Sequence, residues 1–181
     1  MRKLVLYALL SMDGVAEAPD RYVFDFDEAM GANLGRVIEA QDAVLLGRRT
    51  YDEWAPYWPG PGEQPFAPFI NGVHKFVFSS VTPAVSWGNT TVVTGPVSQY
   101  VRDLKERAGG HIGIHGSIRL AQSLIAADLV DELRLVISPV VLGSGRKLFE
   151  DNDRLRKWTL LNVEGTPSGA VLADYELAAR N

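Results

Sequence analysis

Two stretches of this chain carry the residue types that hold anions. Ala43-Val44-Leu45-Leu46-Gly47-Arg48-Arg49-Thr50-Tyr51 passes from an apolar run through a glycine into two arginines and a threonine. Gly113-Ile114-His115-Gly116-Ser117-Ile118-Arg119-Leu120 has the same plan, with His115, Gly116 and Ser117 at the handover. A glycine at such a point lets a ligand approach the backbone. The helix start behind it offers unpaired N–H groups at a positive dipole end. Guanidinium groups match phosphate oxygens in a two-pronged way, and Thr50 can cap its helix or donate to a phosphate. Two such sites in one α/β chain imply a long ligand with a diphosphate, such as a nicotinamide dinucleotide. The plainer alternative is that Gly47 merely turns the chain and both arginines are solvated. The full G-x-G-x-x-G fingerprint is absent.

A third segment, Phe76-Val77-Phe78-Ser79-Ser80, ends in two hydroxyls with no Asp or Glu through Thr82. An acid at such a strand end binds the ribose 2′-OH of NAD, whereas hydroxyls beside an arginine suit the 2′-phosphate of NADP. This favours NADPH over NADH. His115 reads as a strand-end residue rather than a catalyst, and His74, His111 and His115 contain no i, i+4 pair, so no metal site is expected. Asp25, Asp27 and Glu28 stand at the start of the first helix, where the dipole alone selects acids. The sharper reading puts one of them at a pocket edge, where an acid of raised pKa could protonate a hydride acceptor. Asp13-Gly14 is a turn signal. Val140 to Phe149, with Gly143, Gly145, Arg146 and Lys147, either grips a substrate phosphate or forms a bulged connection with Leu148 and Phe149 in the core.

The elements that must position these residues alternate between short apolar runs and helical ones, which predicts a parallel sheet covered on both faces. The spacing predicts strands at 3–10, 43–47, 75–79, 91–94, 112–115, 132–138, 157–164 and 170–177, and helices at about 26–40, 49–54, 97–107 and 117–127. Ser117 is placed to cap the last of these helices. Thr166-Pro167-Ser168-Gly169 separates two apolar runs and predicts a closing antiparallel hairpin. Segment 55–72 holds Pro56, Pro59, Pro61, Pro65 and Pro68 between aromatics and is expected to be a long ordered loop rather than a helix interior. Within it and just before it, Trp54, Tyr57 and Trp58 could wall a substrate, or could be packing or dimer-contact aromatics.

The 181 residues suit a single domain spanning 1–181, with 46% apolar and 22% charged residues. A net charge of −4 and the lack of a basic run argue against a nucleic-acid or acidic-membrane surface. The absence of cysteine excludes disulfides and thiolate chemistry and fits a reducing cytoplasm. Met1-Arg2-Lys3, Leu4 to Leu10 and Ala16-Glu17-Ala18 imitate a secretory leader, but the apolar run is short, Asp13 interrupts the approach to the supposed cleavage site, and the run reads equally as a buried parallel strand.

In combination the chain resembles the dihydrofolate-reductase-like superfamily, and within it the reductase domain of the bifunctional riboflavin-biosynthesis deaminase/reductase. The residues that carry the likeness are Ser11-Met12-Asp13-Gly14, Leu46 to Asp52, Phe78-Ser79-Ser80, His115-Gly116-Ser117 with Leu120, Leu129 to Leu133, and Pro139 to Gly145 with Leu148-Phe149. They run in order over nearly the whole chain. The resemblance implies a three-layer α/β sandwich whose mostly parallel sheet of about eight strands ends in an antiparallel hairpin. It also implies NADPH stretched over the strand ends, a small-molecule substrate and a homodimer. Phosphate-binding roles then fall on Gly47, Arg48 and Thr50, on Ser79 and Ser80, and on Gly116 and Ser117 beside His115. The nicotinamide would lie near Ala8 and the loop holding Asp13 and Gly14. Asp27 is the nearest counterpart of the folate-binding acid, and Trp54 and Trp58 are the substrate-side candidates. Relatives often have paired glycines where this chain has His115-Gly116. No zinc-ligating deaminase part precedes the reductase-like residues, so neither a dedicated riboflavin-pathway role nor folate reduction is expected.

Overall fold

The computed structural model describes residues 1–60, 62–150 and 154–179; Pro61 of the proline-rich segment lies outside them. In chain order the elements are β1 (Leu4–Ser11), α1 (Glu28–Glu39), β2 (Gln41–Gly47), α2 (Arg48–Trp54), α3 (Phe66–Gly72), β3 (His74–Phe78) and β4 (Thr90–Val93). They continue through α4 (Val97–Glu106), β5 (His111–His115), α5 (Ile118–Ala126), β6 (Glu132–Ser138), β7 (Trp158–Gly165) and β8 (Val171–Leu177). All eight strands join one sheet in the order β4-β3-β2-β5-β1-β6-β8-β7. The first six run parallel, while β8 is antiparallel to both β6 and β7. The expected mostly parallel α/β sandwich with a terminal hairpin is therefore the observed fold.

The leader-like run forms β1, which lies between β5 and β6 in the middle of the sheet. A parallel strand covered on both faces needs apolar side chains at successive positions, which explains the lack of alternation in Leu4 to Leu10. Leu4, Leu6, Ala8 and Leu10 pack with Val101 and Leu104 of α4 and Leu120 and Leu124 of α5. On the opposite face Tyr7 packs with Met30, Leu34 and Ile38 of α1, and Phe66 and Phe69 of α3 close over the same cluster. Pairing between β1 and β5 stops at Tyr7↔His115, whereas pairing with β6 runs on to Ser11↔Ser138. The sheet thus splits at its carboxyl end, and the β5-facing edge of β1 beyond Tyr7 borders the gap.

The proline-rich segment departs from expectation. Part of it is helical: α3 spans Phe66–Gly72 with Pro68 as its third residue. A proline in a first turn loses no intrahelical bond, because the N–H it lacks would have had no partner there. The other end of α3 is held by Lys75, whose buried Nζ donates to the carbonyls of Ile70 at 2.8 Å and Val73 at 2.9 Å. That ammonium also lies 4.6 Å from the Trp87 ring centroid, and burial pushes it down to about 8.

Asp27 also departs from expectation. It is the N-cap of α1, with Oδ1 accepting from the Met30 amide at 2.9 Å. Its Oδ2 accepts from the Ser168 amide at 3.0 Å, which pins the turn between β7 and β8 to the helix start. Desolvation would raise this carboxyl, but the amides of Met30 and Ser168, with the hydroxyls of Ser168 and Thr166, outweigh it and hold it well below the carboxylate range. This is the reverse of the raised carboxyl expected of a proton-donating Asp27. Because its folded pKa lies below its unfolded one, its stabilisation is complete above the ordinary carboxylate range and drains as pH falls through the folded value. Asp27→Asn should therefore lower Tm most at neutral pH, with the gap to wild type closing below about pH 4. A gap that stays constant in thermal melts between neutral and strongly acid pH would contradict this assignment.

Candidate functional site

The gap at the carboxyl end of the sheet opens into a cleft of about 1180 Å³. Its floor is Leu6, Tyr7, Ala8 and Leu9 of β1, and its two long walls are the turns that follow β2 and β5. The lining is cationic in part: Gly47, Arg48, Arg49 and Thr50 belong to it from the start of α2, Gly116, Ser117 and Arg119 from the start of α5, and Arg146 from the loop before Leu148. The same lining holds the aromatic residues Trp54, Tyr57, Trp58, Phe66, Phe24 and Phe26, and the acids Glu17, Asp20, Glu53 and Glu63.

Ser117 sets the geometry of the cationic part. Its Oγ accepts from the Gly47 amide at 3.0 Å and donates to Thr50 Oγ1 at 2.9 Å. One hydroxyl so joins the two strand-to-helix turns. It is consequently not available to its own helix: Ser117 is the N-cap of α5 but makes no side-chain cap, and Gly47 at the start of α2 has no side chain to make one. No side chain caps the first turn of either helix, and residues of both first turns line the cleft. The expected capping role for Ser117 is thus replaced by a bridging one. Thr50 faces Ser117 from within the first turn of α2, below 10% exposed. Arg48 and Arg49 pair along the helix with Asp52 at 3.2 Å and Glu53 at 3.1 Å, and both arginine side chains remain more than half exposed. Such pairs hold little and release readily to an incoming anion.

Gly116 is needed on two local grounds. Its φ is +69°, and a Cβ there would fall 2.7 Å from Trp54 Cζ2. The indole of Trp54 thus occupies the space that a side chain would take. Trp54 and Trp58 meet edge to face at 5.9 Å, and Phe66 packs edge-on against both, at 5.7 and 5.0 Å. These rings are at once packing residues and cleft lining, so the two readings of them are compatible.

His115 is buried at the end of β5. Its Nε2 is 2.8 Å from Gln41 Oε1, and burial pushes the imidazole down to about 3, so it is neutral. A register irregularity between Gln41 and Ala43 accompanies this contact, and Gly113 leaves room for it: a Cβ there would sit 2.1 Å from Gln41 Oε1.

Other expected site residues lie outside the cleft lining. Ser79 Oγ bonds the Val81 carbonyl at 2.6 Å and the Val81 amide at 3.2 Å, and Ser80 is exposed. Both follow β3, whose Phe78 pairs with Gly47, so they extend the same rim one strand outward. Asp13 accepts from Ser11 Oγ at 2.7 Å and from the Leu142 and Gly143 amides at 3.1 and 2.8 Å, which lower it to about 2. With Gly14 at φ +84° it ties the loop after β1 to residues 140–147, and this brings Arg146 to the cleft. That second loop resolves as a mixture: Leu148 is core, Phe149 is 44% exposed, and Arg146 pairs with Glu17 at 3.7 Å. Neither Tyr7 nor Gln41 was singled out: Tyr7 lies inside the apolar run read as a buried strand, and Gln41 falls between the expected helix at 26–40 and the expected strand at 43–47.

With this arrangement in view, the chain can be placed among known proteins by class. Residues 2–172 match the family model of the RibD C-terminal domain, and the chain belongs to that family. It is 28% identical over 182 residues to the uncharacterized protein YyaP of Bacillus subtilis, covering 96% of this chain and 94% of that one. In fold it is similar to a pyrimidine reductase-like protein from Corynebacterium diphtheriae, with a TM-score of 0.70, 16% identity and coverage of 99% and 93%. It is also similar to a diaminohydroxyphosphoribosylaminopyrimidine deaminase/5-amino-6-(5-phosphoribosylamino)uracil reductase from Thermotoga maritima, with a TM-score of 0.71 and 16% identity. There it covers 98% of itself and 57% of the longer protein.

If Ser117 is the brace between the two turns, Ser117→Ala strands the Gly47 amide and the Thr50 hydroxyl together. Denaturant unfolding should then show a loss of about 1–3 kcal/mol. A loss within the error of the melt would mean that the two turns hold their spacing without it.

Proposed function

We propose that the protein is an NADPH-dependent reductase that delivers hydride to a small heterocyclic substrate, pterin- or aminouracil-like, or to a carbonyl. The observation that carries this reading is the pair of helix starts, uncapped by side chains, that share one cleft with Arg48, Arg49, Arg119 and Arg146 and with a group of aromatic side chains. Family membership points the same way, as do the names of the similar reductases. A ligand with a diphosphate in its middle and a flat ring at one end fits the lining residues. The cleft volume exceeds the roughly 300–1,000 Å³ usual for a single small ligand.

In this reading the first-turn amides of α2 and α5, with Gly47, Thr50, Gly116 and Ser117, hold the diphosphate. Arg48, with Ser79 and Ser80 further along the rim, holds the 2′-phosphate. Ala8 and the loop of Asp13 and Gly14 border the ring end, and His115 backs it. NADPH supplies the hydride chemistry, while the protein supplies orientation and the exclusion of water. Trp54 and Trp58 exclude water from the substrate side. A homodimer and a cytoplasmic location belong to the proposal. Edge strand β7 exposes Leu160, Leu161 and Val163, an apolar edge of the kind that pairing covers. Among the described residues no helix is long and apolar enough to cross a membrane.

One observation favours a second reading, a binding module of the same fold without turnover: Asp27, the acid expected to deliver a proton, is bound into the hairpin turn instead. Calorimetry with NADPH and NADH, followed by coenzyme oxidation in the presence of pterins, aminouracil ribosyl phosphates and small quinones, separates the two. Arg48→Ala should weaken NADPH by about 1.5–3 kcal/mol, as expected for a hydrogen bond to a charged group, and leave NADH nearly unchanged. Equal losses would refute the 2′-phosphate assignment, and absence of heat with either coenzyme on folded protein would refute the function.

A further inference from the structure

The proline-rich segment 55–65 carries Trp58 in the cleft lining, and its described residues receive a single side-chain hydrogen bond from the rest of the chain. That bond comes from Asn71, near the end of α3. Its Nδ2 donates to the Trp58 carbonyl at 2.7 Å and to the Ala67 carbonyl at 2.9 Å. Oδ1 of the same amide accepts from Trp87 Nε1 at 2.9 Å. The Trp87 N–H also decides which way the amide faces, because a flipped amide would set donor against donor.

Trp87 is itself firmly held. It is buried, its backbone amide donates to Tyr51 Oη at 2.9 Å, and that hydroxyl donates to the Val85 carbonyl at 3.0 Å. The Lys75 ammonium lies 4.6 Å from its ring centroid. A cation over an indole draws electron density from the ring and strengthens its N–H as a donor, and hydrogen bonds in series polarise one another. Lys75, Trp87, Asn71 and the Trp58 carbonyl thus form one chain from a buried strand to the cleft wall. The Trp58 amide donates to the Trp54 carbonyl at 2.9 Å, so both backbone groups of Trp58 are fixed. Neither Asn71 nor Trp87 lines the cleft.

We infer that Asn71 is the positioning residue of the substrate-side wall: it fixes Trp58 through its backbone, from outside the cleft, and Trp87 orients it. This rests on the reading of Trp58 as the wall of a coenzyme-plus-substrate site. Asn71 touches neither substrate nor coenzyme and acts only through Trp58.

The test incorporates fluorotryptophan into the full chain, whose four tryptophans give four fluorine resonances, assigned with single Trp→Phe variants. Asn71→Asp keeps the acceptor for Trp87 and loses both donors. Asn71→Ser loses the reach without adding charge, and it carries the test if the aspartate variant does not fold. In ligand-free protein each should move or broaden the Trp58 resonance while Trp158, on β7, stays in place. In NADPH oxidation with menadione as acceptor, the KM for menadione should rise about fivefold, with kcat and the calorimetric Kd for NADPH held within about twofold. A residue that merely stabilised the fold would lower Tm and leave the KM of the folded protein unchanged. A Trp58 resonance that ignores both variants, or moves no further than that of Trp158, overturns the inference, as does a menadione KM equal to wild type. Without menadione turnover the resonances decide alone. Failure of wild type to bind NADPH, with Trp58 still answering to Asn71, overturns the coenzyme reading and leaves the hold of Asn71 on Trp58 standing.

Discussion

The arrangement depends on one hydroxyl. Ser117 Oγ accepts from Gly47 and donates to Thr50, across a gap of 70 and 67 residues respectively. Without it, the turns after β2 and β5 would be two unrelated loops on neighbouring strands. With it, they become a single rigid rim whose helix starts line the same opening. A serine at a helix start normally closes its own first turn. Here that closure is given up, and residues of both first turns line the cleft. The local rule is broken at the place where anion binding would need it broken, in keeping with the expectation that functional sites violate ordinary sequence preferences.

The rim has an opening to frame because β1 outruns β5. Since β1 pairs with β6 for four residues beyond the last β1–β5 pair, the central strand continues along the edge of the cleft while its other neighbour turns away. The ends of β1 and β6 are in turn stabilised by the loops that follow them. Asp13 collects the amides of residues 142 and 143, and the Gly145 backbone lies so close to Val15 that a Cβ would meet Cγ1 at 2.7 Å. Asp13 and the glycines of these loops lace the two loops together and present Arg146.

Much of this was legible in the sequence, for identifiable reasons. All eight strands were readable because β-like runs are bounded by glycine, proline or helical periodicity, and the hairpin was readable from Thr166-Pro167-Ser168-Gly169. The two strand-to-helix turns were readable because glycine followed by arginine or serine is a local signal. What escaped was non-local. The Asp27–Ser168 bond spans 141 residues, and nothing near Asp27 announces it, so the helix dipole was its first explanation and a pocket edge its sharper alternative. Ser117 was correctly placed at a helix start but given the wrong partner, because its partners lie on another turn. Pro68 was taken to forbid a helix, although at the third helical position its missing N–H removes no bond.

Tyr7 shows why burial and function are hard to separate from one strand of letters. In Leu4-Val5-Leu6-Tyr7-Ala8-Leu9-Leu10 it reads as one more core residue, and its ring is indeed core, packed under Met30, Leu34 and Ile38. Its hydroxyl is not satisfied by that core. Phenylalanine would fill the same space without leaving a buried donor unpaired, so the protein keeps the less stable choice at the floor of its cleft. The same holds for Trp58 and for the amide of Gln41, and the three share one cluster rather than being scattered through the fold.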